Sequence, residues 1–425
     1  MQGEIRPGYK PTDVGAIPED WEVKTLGDFG KFRGGNGFPL RYQGHDFGDH
    51  PFYKVSDMNN DENTLFMETS NHWISEKVRK EIGATVFPKG SIVFAKIGAA
   101  IFLERKRILS RPSCIDNNVM ALIFDSDQAN SRFFHYVFLT IELGKLVSAT
   151  ALPSLNGRDI AALNLAIPPL PEQRAIAAAL SDADALIAAL EAMIAKKRDL
   201  KQAAMQQLLT GNTRLPGFSG EWEVKRLGDH VRFLKNGTLS RAQLSVDGSV
   251  QYLHYGDIHS AAALWLNPQE AEMPFVDLEL VKSLDRLEDG DVVYVDASED
   301  LDGVGKSIEI QDCDGAEIVA GLHTIAARYD KRVLADGFKA YLQFVPAFRD
   351  HLRSMAAGTK VLATNRKHIA GVEMAIPSTS EQTAIAEVLS DMNADLAALE
   401  AQADKARAVK QGMMQQLLTG KVRLI

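Results

Sequence analysis

Cysteine is scarce in this chain: two thiols, Cys114 and Cys313, occur among 425 residues. A disulfide framework is excluded, and one cysteine in each half is more typical of a small core residue than of a nucleophile or metal ligand. No apolar run approaches the roughly 18 residues that span a bilayer. The first residues also lack the apolar stretch of a signal peptide. These absences predict a cytoplasmic protein without a membrane partner.

An excess of positive charge is missing too. The formal net charge is −9 and the pI is about 5.6. This argues against a protein that coats nucleic acid through bulk positive charge. The negative charge is unevenly distributed, since residues 13–160 carry a net charge of about −2 and residues 216–376 one of about −8. A DNA-binding chain of this kind would need local basic surfaces or basic partners.

Sequence patterns of catalytic sites are absent as well. Gly305-Lys306-Ser307 resembles the end of a phosphate-binding loop, but Asp300 stands where that loop needs its first glycine. The ten histidines and two cysteines show no metal-ligand spacing. These patterns therefore predict no metal and no cofactor in this chain, but they do not distinguish acid–base pairs from solvated charges.

What the chain does contain is an internal repeat. Residues 172–211 reappear as residues 381–420, offset by 209 positions, with 25 of 40 residues identical. Farther upstream, residues 21–28 match residues 222–229, while the segments between these ends are barely alike. A period this long is a whole domain plus a helix, not a solenoid unit. We predict that the shared parts do a shared job and the divergent parts do parallel but different jobs.

The repeat divides the chain into four segments. Residues 1–167 and 216–376 are predicted to be mixed α/β domains, because short apolar runs follow turn signals. Residues 168–215 and 377–425 are predicted to be helical connectors. Within the domains we predict strands at 91–95, 119–124, 291–295 and 323–329, and helical segments at 131–146 and 335–355.

Each helical segment shows apolar residues at alternating spacings of four and three, as in a heptad seam. Each helix would run nearly 40 residues, or about 58 Å. Gly211 and Gly420 stand where a helix C-terminus favours a residue that tolerates positive φ. The predicted seam and partner-docking residues are Ile176, Leu180, Ile187, Leu190, Leu208, Ile385, Leu389, Leu396, Leu399 and Leu417.

Two arrangements of these helices are possible. Each helix could pack on its own domain, or the two could pack on each other as an antiparallel coiled coil with a pseudo-two-fold axis. The alanine-rich seam favours the second arrangement, since small side chains let two backbones approach closely. The predicted fold class is therefore α+β, with two mixed α/β domains separated by an antiparallel pair of long helices.

Basic and amide side chains lie in the loops of both predicted domains. Such side chains read base edges, and Arg and Lys also contact phosphate. Because most surface cations are simply solvated, these residues are candidates only; residues 33–37 are expected to form a flexible cationic turn. The candidate DNA-binding residues are Arg33, Asn36, Lys96, Arg105, Lys106, Arg107, Asn117, Lys235, Asn236, Arg241 and Lys306.

Several elements together resemble the specificity subunit of type I restriction-modification systems. They are residues 17–28, the Pro-Pro-Leu-Pro-Glu-Gln run at 168–173 and the Gln-Gln-Leu-Leu-Thr-Gly run at 206–211, with second copies at 222–229, 381–382 and 416–420. The resemblance covers essentially the whole chain. One departure is residues 377–380, Pro-Ser-Thr-Ser, where the second copy lacks the Pro-Leu-Pro of the first.

The resemblance implies two target recognition domains, each reading one half of a split double-stranded DNA sequence, with the helices as a spacer. It implies no catalytic activity in this chain. Two methyltransferase subunits carrying S-adenosylmethionine would dock on residues 172–211 and 381–420, and restriction subunits using ATP and Mg²⁺ would complete the assembly. The target-reading residues differ from member to member, so the resemblance assigns none.

Two rival functions remain open. A self-sufficient regulator would bind an operator tightly without partners, whereas the specificity-subunit interpretation predicts weak or insoluble behaviour until the methyltransferase is added. A scaffold or adhesin-like protein with duplicated domains would not bind DNA at all. A salt-dependent DNA shift would remove that possibility.

Overall fold

The structure, a computed structural model, describes residues 6–124, 129–147, 152–261, 263–301, 303–356 and 362–424. Contacts divide the chain into two compact units. Unit 1 comprises Met1–Leu190 and Gln402–Ile425, and unit 2 comprises Glu191–Ala401. Both long helices are therefore shared between the units: the first part of each belongs with its own domain and the last part belongs to the other unit.

The elements of the first repeat follow the chain in a simple order. They are β1 Tyr9–Thr12, β2 Gly15–Pro18, β3 Glu22–Thr25, β4 Gly30–Gly34, β5 His50–Tyr53, β6 Phe66–Met67, β7 Trp73–Ile74, α1 Glu76–Glu81, β8 Ile92–Ala95, β9 Lys106–Leu109, β10 Cys114–Ile115, β11 Val119–Phe124, α2 Ser131–Thr140, α3 Gly157–Ala161, β12 Asn164–Ile167 and α4 Leu170–Leu208.

The second repeat continues in the same manner. Its elements are β13 Glu223–Arg226, β14 Val231–Phe233, β15 Val250–Leu253, α5 Tyr255–Ser260, β16 Trp265–Leu266, β17 Phe275–Val276, α6 Leu278–Val281, β18 Val292–Val295, β19 Ala297–Ser298, β20 Ser307–Ile310, β21 Ile318–Ala320, β22 Thr324–Tyr329, α7 Pro346–Met355, β23 Leu362–Ala363, α8 Arg366–Ala370, β24 Glu373–Ile376 and α9 Thr379–Leu417.

The two domains share one strand order despite their divergent sequences. A five-stranded sheet runs β4-β11-β8-β9-β6 in unit 1 and β14-β22-β18-β20-β16 in unit 2. In both sheets the last strand is parallel to its neighbour and the other pairings are antiparallel. A three-stranded sheet, β10-β5-β7 or β21-β15-β17, accompanies each. The repeat visible in the helices therefore extends through the domains.

The central strands are buried on both faces, as their continuous apolar runs require. In unit 1, Phe94 and Leu122 face a core that includes Phe133 of α2. Val93 and Ala121 point to the opposite face and pack in a separate cluster with other buried apolar residues. Since successive side chains alternate across a strand, one sheet serves two cores.

The long helices begin and end where the sequence predicts. The helix α4 starts after the Pro168-Pro169 pair, and α9 starts at Thr379 although the second copy lacks Pro-Leu-Pro. Gly211 and Gly420 have φ of +71° and +69°, the left-handed region that glycine adopts without strain. The expected helix termini are confirmed.

Two helical predictions are wrong in detail. Residues 131–146 form α2, which ends at Thr140, and then a separate 3-10 turn, Leu143–Leu146. Residues 335–355 form a 3-10 turn, Lys339–Phe344, followed by the separate helix α7 instead of one helix. Pro346 forces the break, because a proline disfavours helical backbone in the residue before it, and Val345 is extended at φ −67° and ψ 122°. Gly337, at φ +83°, excludes a regular helix farther upstream.

Within each unit, parts of the two long helices lie antiparallel. In unit 1, Ile176 and Leu180 near the start of α4 share a core with Met414 and Leu417 near the end of α9. The start of one helix therefore packs beside the end of the other. In unit 2, Leu208 and Met205 meet Ile385 and Leu389 in the same way. The predicted fold class, two mixed α/β domains with an antiparallel pair of long helices, is confirmed.

Candidate nucleic-acid interface

One edge of the five-stranded sheet of unit 1 gathers the ends of several strands. Met120 at the start of β11 pairs with Gly34 at the end of β4 and with Phe94 near the end of β8. Phe94 also pairs with Lys106 at the start of β9. The residues flanking these positions therefore lie along one edge, which we call edge 1. Edge 1 carries the candidate residues Arg33, Lys96, Arg105 and Asn117.

Three cations of edge 1 have free charge. Arg33 is exposed, and Lys96 and Arg105 are partly exposed. Across the described ranges none of the three forms an ion pair, while Asn117 is also exposed. Because no carboxylate neutralises them, these cations can meet a phosphate, and the neighbouring amide can meet a base edge.

The expected flexible turn at residues 33–37 is instead packed. Arg33 and Gly34 belong to β4. A Cβ placed on Gly35 would lie 2.1 Å from the Ile115 carbonyl oxygen, so only glycine fits this close approach of two backbones. The prediction of flexibility is therefore wrong. The glycines fix Arg33 at the edge.

Internal contacts occupy three other candidate residues of unit 1. Lys106 is 2% exposed, and its ammonium donates to the Glu104 carboxylate over 2.6 Å. Arg107 donates to the Asn63 carbonyl, and Asn36 bonds backbone groups through both ends of its amide. The structure contradicts a DNA contact for Lys106. Arg107 and Asn36 are partly exposed and stabilise contacts within the domain, and both stay predictions of DNA contact.

The backbone of Lys106 is contacted by a buried histidine. His135 is 4% exposed, and its Nε2 lies 3.1 Å from the Lys106 carbonyl oxygen, to which it donates. Its Nδ1 is buried without a hydrogen-bond partner. Burial lowers the pKa of His135 to about 4, since the charged ring would lose its hydration.

His135 should make unit 1 sensitive to acid. Its neutral form is favoured in the folded state, so its stability contribution is present above the unfolded pKa near 6.5 and is lost as pH falls toward 4. The loss should reach roughly 3 kcal/mol. Hydrogen exchange read by mass spectrometry between pH 7 and 4.5 would measure it in unit 1 peptides. His135→Leu should flatten the pH dependence, and an unchanged slope would contradict this role.

Unit 2 presents the corresponding edge. Val295 at the end of β18 pairs with Thr324 at the start of β22, and Tyr294 pairs with Ser307 at the start of β20. The loop that leaves β14 meets this edge, because the Leu234 amide donates to the Ala326 carbonyl. We call it edge 2. It carries Lys235, Asn236, Asp296, Lys306 and His323.

The candidate residues of unit 2 differ in availability. Lys235 is exposed and forms no ion pair with any residue the structure describes. Lys306 donates to the His259 carbonyl oxygen over 2.6 Å, and Arg241 pairs with Asp257 at 2.5 Å. Of these three cations, Lys235 is therefore the most available to contact a phosphate.

A second cation of unit 2 was not recognised from the sequence. Arg366, at the start of α8, donates to the Leu234 carbonyl oxygen over 2.7 Å and to the Asn236 side-chain oxygen over 3.0 Å. Its equivalent in the first repeat is Gly157, so only the second copy gains this charge. Comparing the repeats residue by residue would have found it.

A groove of about 810 Å³ opens beside edge 2. The ring of Tyr255 stands edge-on to those of His259 and His323, with centroids 6.0 and 5.4 Å away. The His323 ring also bonds Asp296 at 3.1 Å. Carboxylates such as Glu299 line the groove as well. An acidic domain can thus read bases, since carboxylates accept from the cytosine amino group.

Several of the predicted seam residues pack in the cores of the two units, among them Ile176 and Leu180 in unit 1 and Ile385 in unit 2. Most are buried, whereas Ile187 and Leu399 are partly exposed. Ion pairs flank the seam: Asp184 pairs with Lys410 at 2.5 Å in unit 1, and Lys197 donates to Asp395 in unit 2. The seam residues that are buried are Ile176, Leu180, Leu190, Leu208, Ile385, Leu389, Leu396 and Leu417.

A buried ion pair joins the two helices in unit 1. The Glu172 carboxylate at the start of α4 is fully buried and accepts from Arg423, just beyond α9, over 2.7 and 2.9 Å. Trp21 donates its indole N–H to the same carboxylate over 2.9 Å. Arg423 also forms two bonds with Asp20, at 2.8 and 2.7 Å. We call Arg423, Glu172 and Trp21 the unit 1 junction.

Unit 2 repeats this arrangement. Arg214 follows α4 and bonds both carboxylate oxygens of Glu381 at the start of α9, while Trp222 donates over 3.3 Å. We call these three residues the unit 2 junction. Their sequence signal is the offset of 209, which relates Arg214 to Arg423 as well as Glu172 to Glu381. The junctions were not predicted.

The described residues contain neither a candidate membrane-spanning helix nor a candidate metal-binding cluster. None of the helices there is both long and apolar enough to cross a bilayer. The same residues contain no group of three or more His, Cys, Asp or Glu side chains placed to hold a metal ion. Each unit thus presents one polar edge and one helix junction as its candidate functional features.

Comparison with known proteins gives a family match. A family model described as the type I restriction modification DNA specificity domain matches residues 18–197. The specificity subunit of the type I restriction enzyme MjaIX from Methanocaldococcus jannaschii is 26% identical, over 53% of this chain and 54% of that protein. The MjaVIII specificity subunit of the same organism is 22% identical, over 100% of this chain and 98% of the relative.

Solved structures show the same fold. The S subunit of a type I restriction-modification system from M. genitalium has a TM-score of 0.56 at 13% identity, covering 97% of this chain and 98% of that chain. A chain from a structural study of type I system assembly and conformational transition has a TM-score of 0.55 at 14% identity, covering 96% and 99%.

Proposed function

Because the chain belongs to the family of type I restriction-modification specificity subunits, the non-catalytic components of those systems, we propose that it selects a bipartite DNA target. Each domain reads one half of the target, through edge 1 in unit 1 and edge 2 in unit 2. The long helices set the unread gap between the halves. They also dock the methyltransferase subunits.

The observation that carries this proposal is that the two domains share one strand order but present edges of different composition. Both domains use the same sheets, so both edges occupy the same place in their domains. Edge 1 is cationic, with Arg33, Lys96 and Arg105, whereas edge 2 mixes Lys235 with histidines and carboxylates. Loops on a shared scaffold carry recognition, so unlike edges predict unlike half-targets.

Partners supply what this chain lacks. Two methyltransferase subunits carry S-adenosylmethionine and modify adenine, and restriction subunits use ATP and Mg²⁺. Their basic surfaces would offset the net charge of −9 when the assembly holds DNA. The exposed faces of α4 and α9 are the proposed docking surface, since the buried seam is occupied by packing within each unit.

Methylome sequencing tests the proposal. A host that carries this gene should show methylated adenine in one asymmetric motif, made of two halves of about three to five base pairs each, because one module fills roughly one major-groove face. Deleting the gene should abolish methylation of that motif alone. An unbroken palindromic motif would contradict two unlike reading domains, and tight operator binding by the purified chain alone would favour the stand-alone regulator.

A double variant of edge 1 gives a second test of the proposed function. Arg33→Ala with Lys96→Ala removes two unpaired cations and leaves the buried core intact. Binding of the methyltransferase complex to target DNA should weaken, and its dependence on salt should become shallower by about two charges. An unchanged salt dependence would place the DNA elsewhere on unit 1.

A further inference from the structure

In unit 1, the side chain of Arg132 fills the space between Phe66, Tyr136 and the α4 residue Ser181. The Arg132 guanidinium lies 5.4 Å from the ring centroids of both Phe66 and Tyr136. Its Nη2 donates to the Ser181 hydroxyl over 2.7 Å and to the Tyr136 hydroxyl over 3.0 Å. The Asp184 carboxylate stands 3.9 Å away. Two rings, a hydroxyl on α4 and a carboxylate therefore form a complete guanidinium site.

The structure allows the same space to be located in unit 2. Asn130 donates its backbone N–H to Gln173, and Ala335 donates to Gln382, its equivalent at offset 209. Two residues after these donors stand Arg132 in unit 1 and Gly337 in unit 2. Gly337 has no side chain with which to fill the space.

The surroundings of this space are otherwise retained. Tyr341 takes the place of Tyr136, since it bonds Asn393, which is equivalent to Asp184 at offset 209. Ser390 is the equivalent of Ser181. Phe66 and Trp265 both begin the edge strand that runs parallel to β9 or β20. The ring platform and the hydroxyl remain, whereas the guanidinium is missing and the Asn393 amide replaces the Asp184 carboxylate.

Unit 2 has a cavity at this place. It measures about 190 Å³ and is lined by Trp265, Gly337 and Ser390. Glu387 on α9 also lines it, is exposed, and forms no ion pair within the residues that the structure describes. Asp336, the other carboxylate of the lining, is paired with lysines. Glu387 thus supplies the negative charge that Asp184 supplies in unit 1.

We propose that this cavity is a docking site for an arginine side chain of a partner protein. The guanidinium stacks on Trp265, bonds the Ser390 hydroxyl and pairs with Glu387, as Arg132 does with its own neighbours. A planar cation suits this lining better than an ammonium, since it stacks on a ring and donates in its own plane. Resting on the proposed function, the partner is a methyltransferase subunit docked against α9. Unit 1 holds its own arginine there, so the two helices present different surfaces to identical partners.

The affinity of the purified chain for its methyltransferase subunit tests this docking site. Glu387→Lys should weaken the complex about tenfold or more through charge repulsion. Its matched control is Ala178→Lys, at the equivalent exposed position of α4, where Arg132 already fills the space. The control should change affinity less than twofold. Equal effects of the two substitutions, or no effect of either, would overturn the proposal while leaving methyltransferase docking intact.

A second measurement uses N-acetyl-L-arginine amide as the probe. It should raise the melting temperature of the wild-type chain at millimolar concentration, and the neutral citrulline analogue should not. Glu387→Lys should abolish the shift. Arg132→Ala should create a second site in unit 1 and be rescued by the same amide. If the chain binds the amide but not the methyltransferase, the cavity is an arginine-binding site and the proposed function is refuted. If the amide does not change the melting temperature, the arginine site is refuted.

Discussion

Arg423→Ala should lower the free energy of unfolding of unit 1 by about 3–5 kcal/mol, because it leaves the buried carboxylate of Glu172 without its counter-charge. Glu172 is fully buried and Arg423 is 20% exposed, so water screens the pair little. Trp21 would be the remaining donor to that carboxylate among the side chains of the unit 1 junction. Urea titration followed by hydrogen exchange would measure the loss in unit 1 peptides.

Three variants serve as controls for this prediction. Arg214→Ala should produce a similar loss confined to unit 2, since Glu381 is 1% exposed. Asp20→Ala should cost less than about 1 kcal/mol, because Asp20 is largely exposed. In a Glu172→Gln background the charge to be compensated is gone, so Arg423→Ala should cost much less. A loss below about 1 kcal/mol in the wild-type background would show that the pair contributes little.

Lengthening both long helices should change the DNA target without changing either half. Four residues inserted after Ala195 in α4 and four after Asp404 in α9 occupy equivalent positions, offset by 209. Each helix gains about 6 Å at 1.5 Å per residue. That length is close to two base pairs at 3.4 Å each, so methylation of the original motif should be lost and the gap should widen by two.

Methylome sequencing distinguishes the outcomes of this insertion. The same two half-sequences with a wider gap would support a spacer role for α4 and α9. Altered half-sequences would contradict it, because edges 1 and 2 are untouched. As a control, four residues inserted in α4 alone should disturb the pairing with α9 and abolish methylation, since the seam would lose its register.

Strong periodicity is what made parts of the fold predictable. The heptad spacing through Ile176 and Leu180 identified α4 and its antiparallel partner, and Gly211 marked its end. Apolar runs behind turns identified the central strands β8 and β18. These signals are local, so one sequence suffices to detect them.

Side-chain placement at the edges was harder to predict. The run Arg105-Lys106-Arg107 looked uniformly exposed, yet β9 begins at Lys106 and strand alternation turns that middle residue inward. Once buried, Lys106 needed Glu104, a pairing that composition does not reveal. Apart from the buried Lys106, all the candidate residues remain predictions of DNA contact.

Contacts between distant segments left no local signal. Arg423 and Glu172 are 251 residues apart, and each alone resembles a surface charge. The space at Gly337 becomes visible only beside Arg132, because an absence in one copy is defined by its presence in the other. A duplicated chain thus provides an internal reference where a single domain would provide none.

The split composition of unit 1 has a consequence for biosynthesis. Unit 2 is one continuous stretch, Glu191–Ala401, whereas unit 1 also needs Gln402–Ile425. As the ribosome delivers the chain from its amino end, the domain made first must wait for the segment made last, with Arg423 reaching back 403 residues to Asp20. We therefore expect unit 2 to complete its fold before unit 1 during synthesis, and unit 1 to leave apolar surface exposed until the end of α9 packs against it.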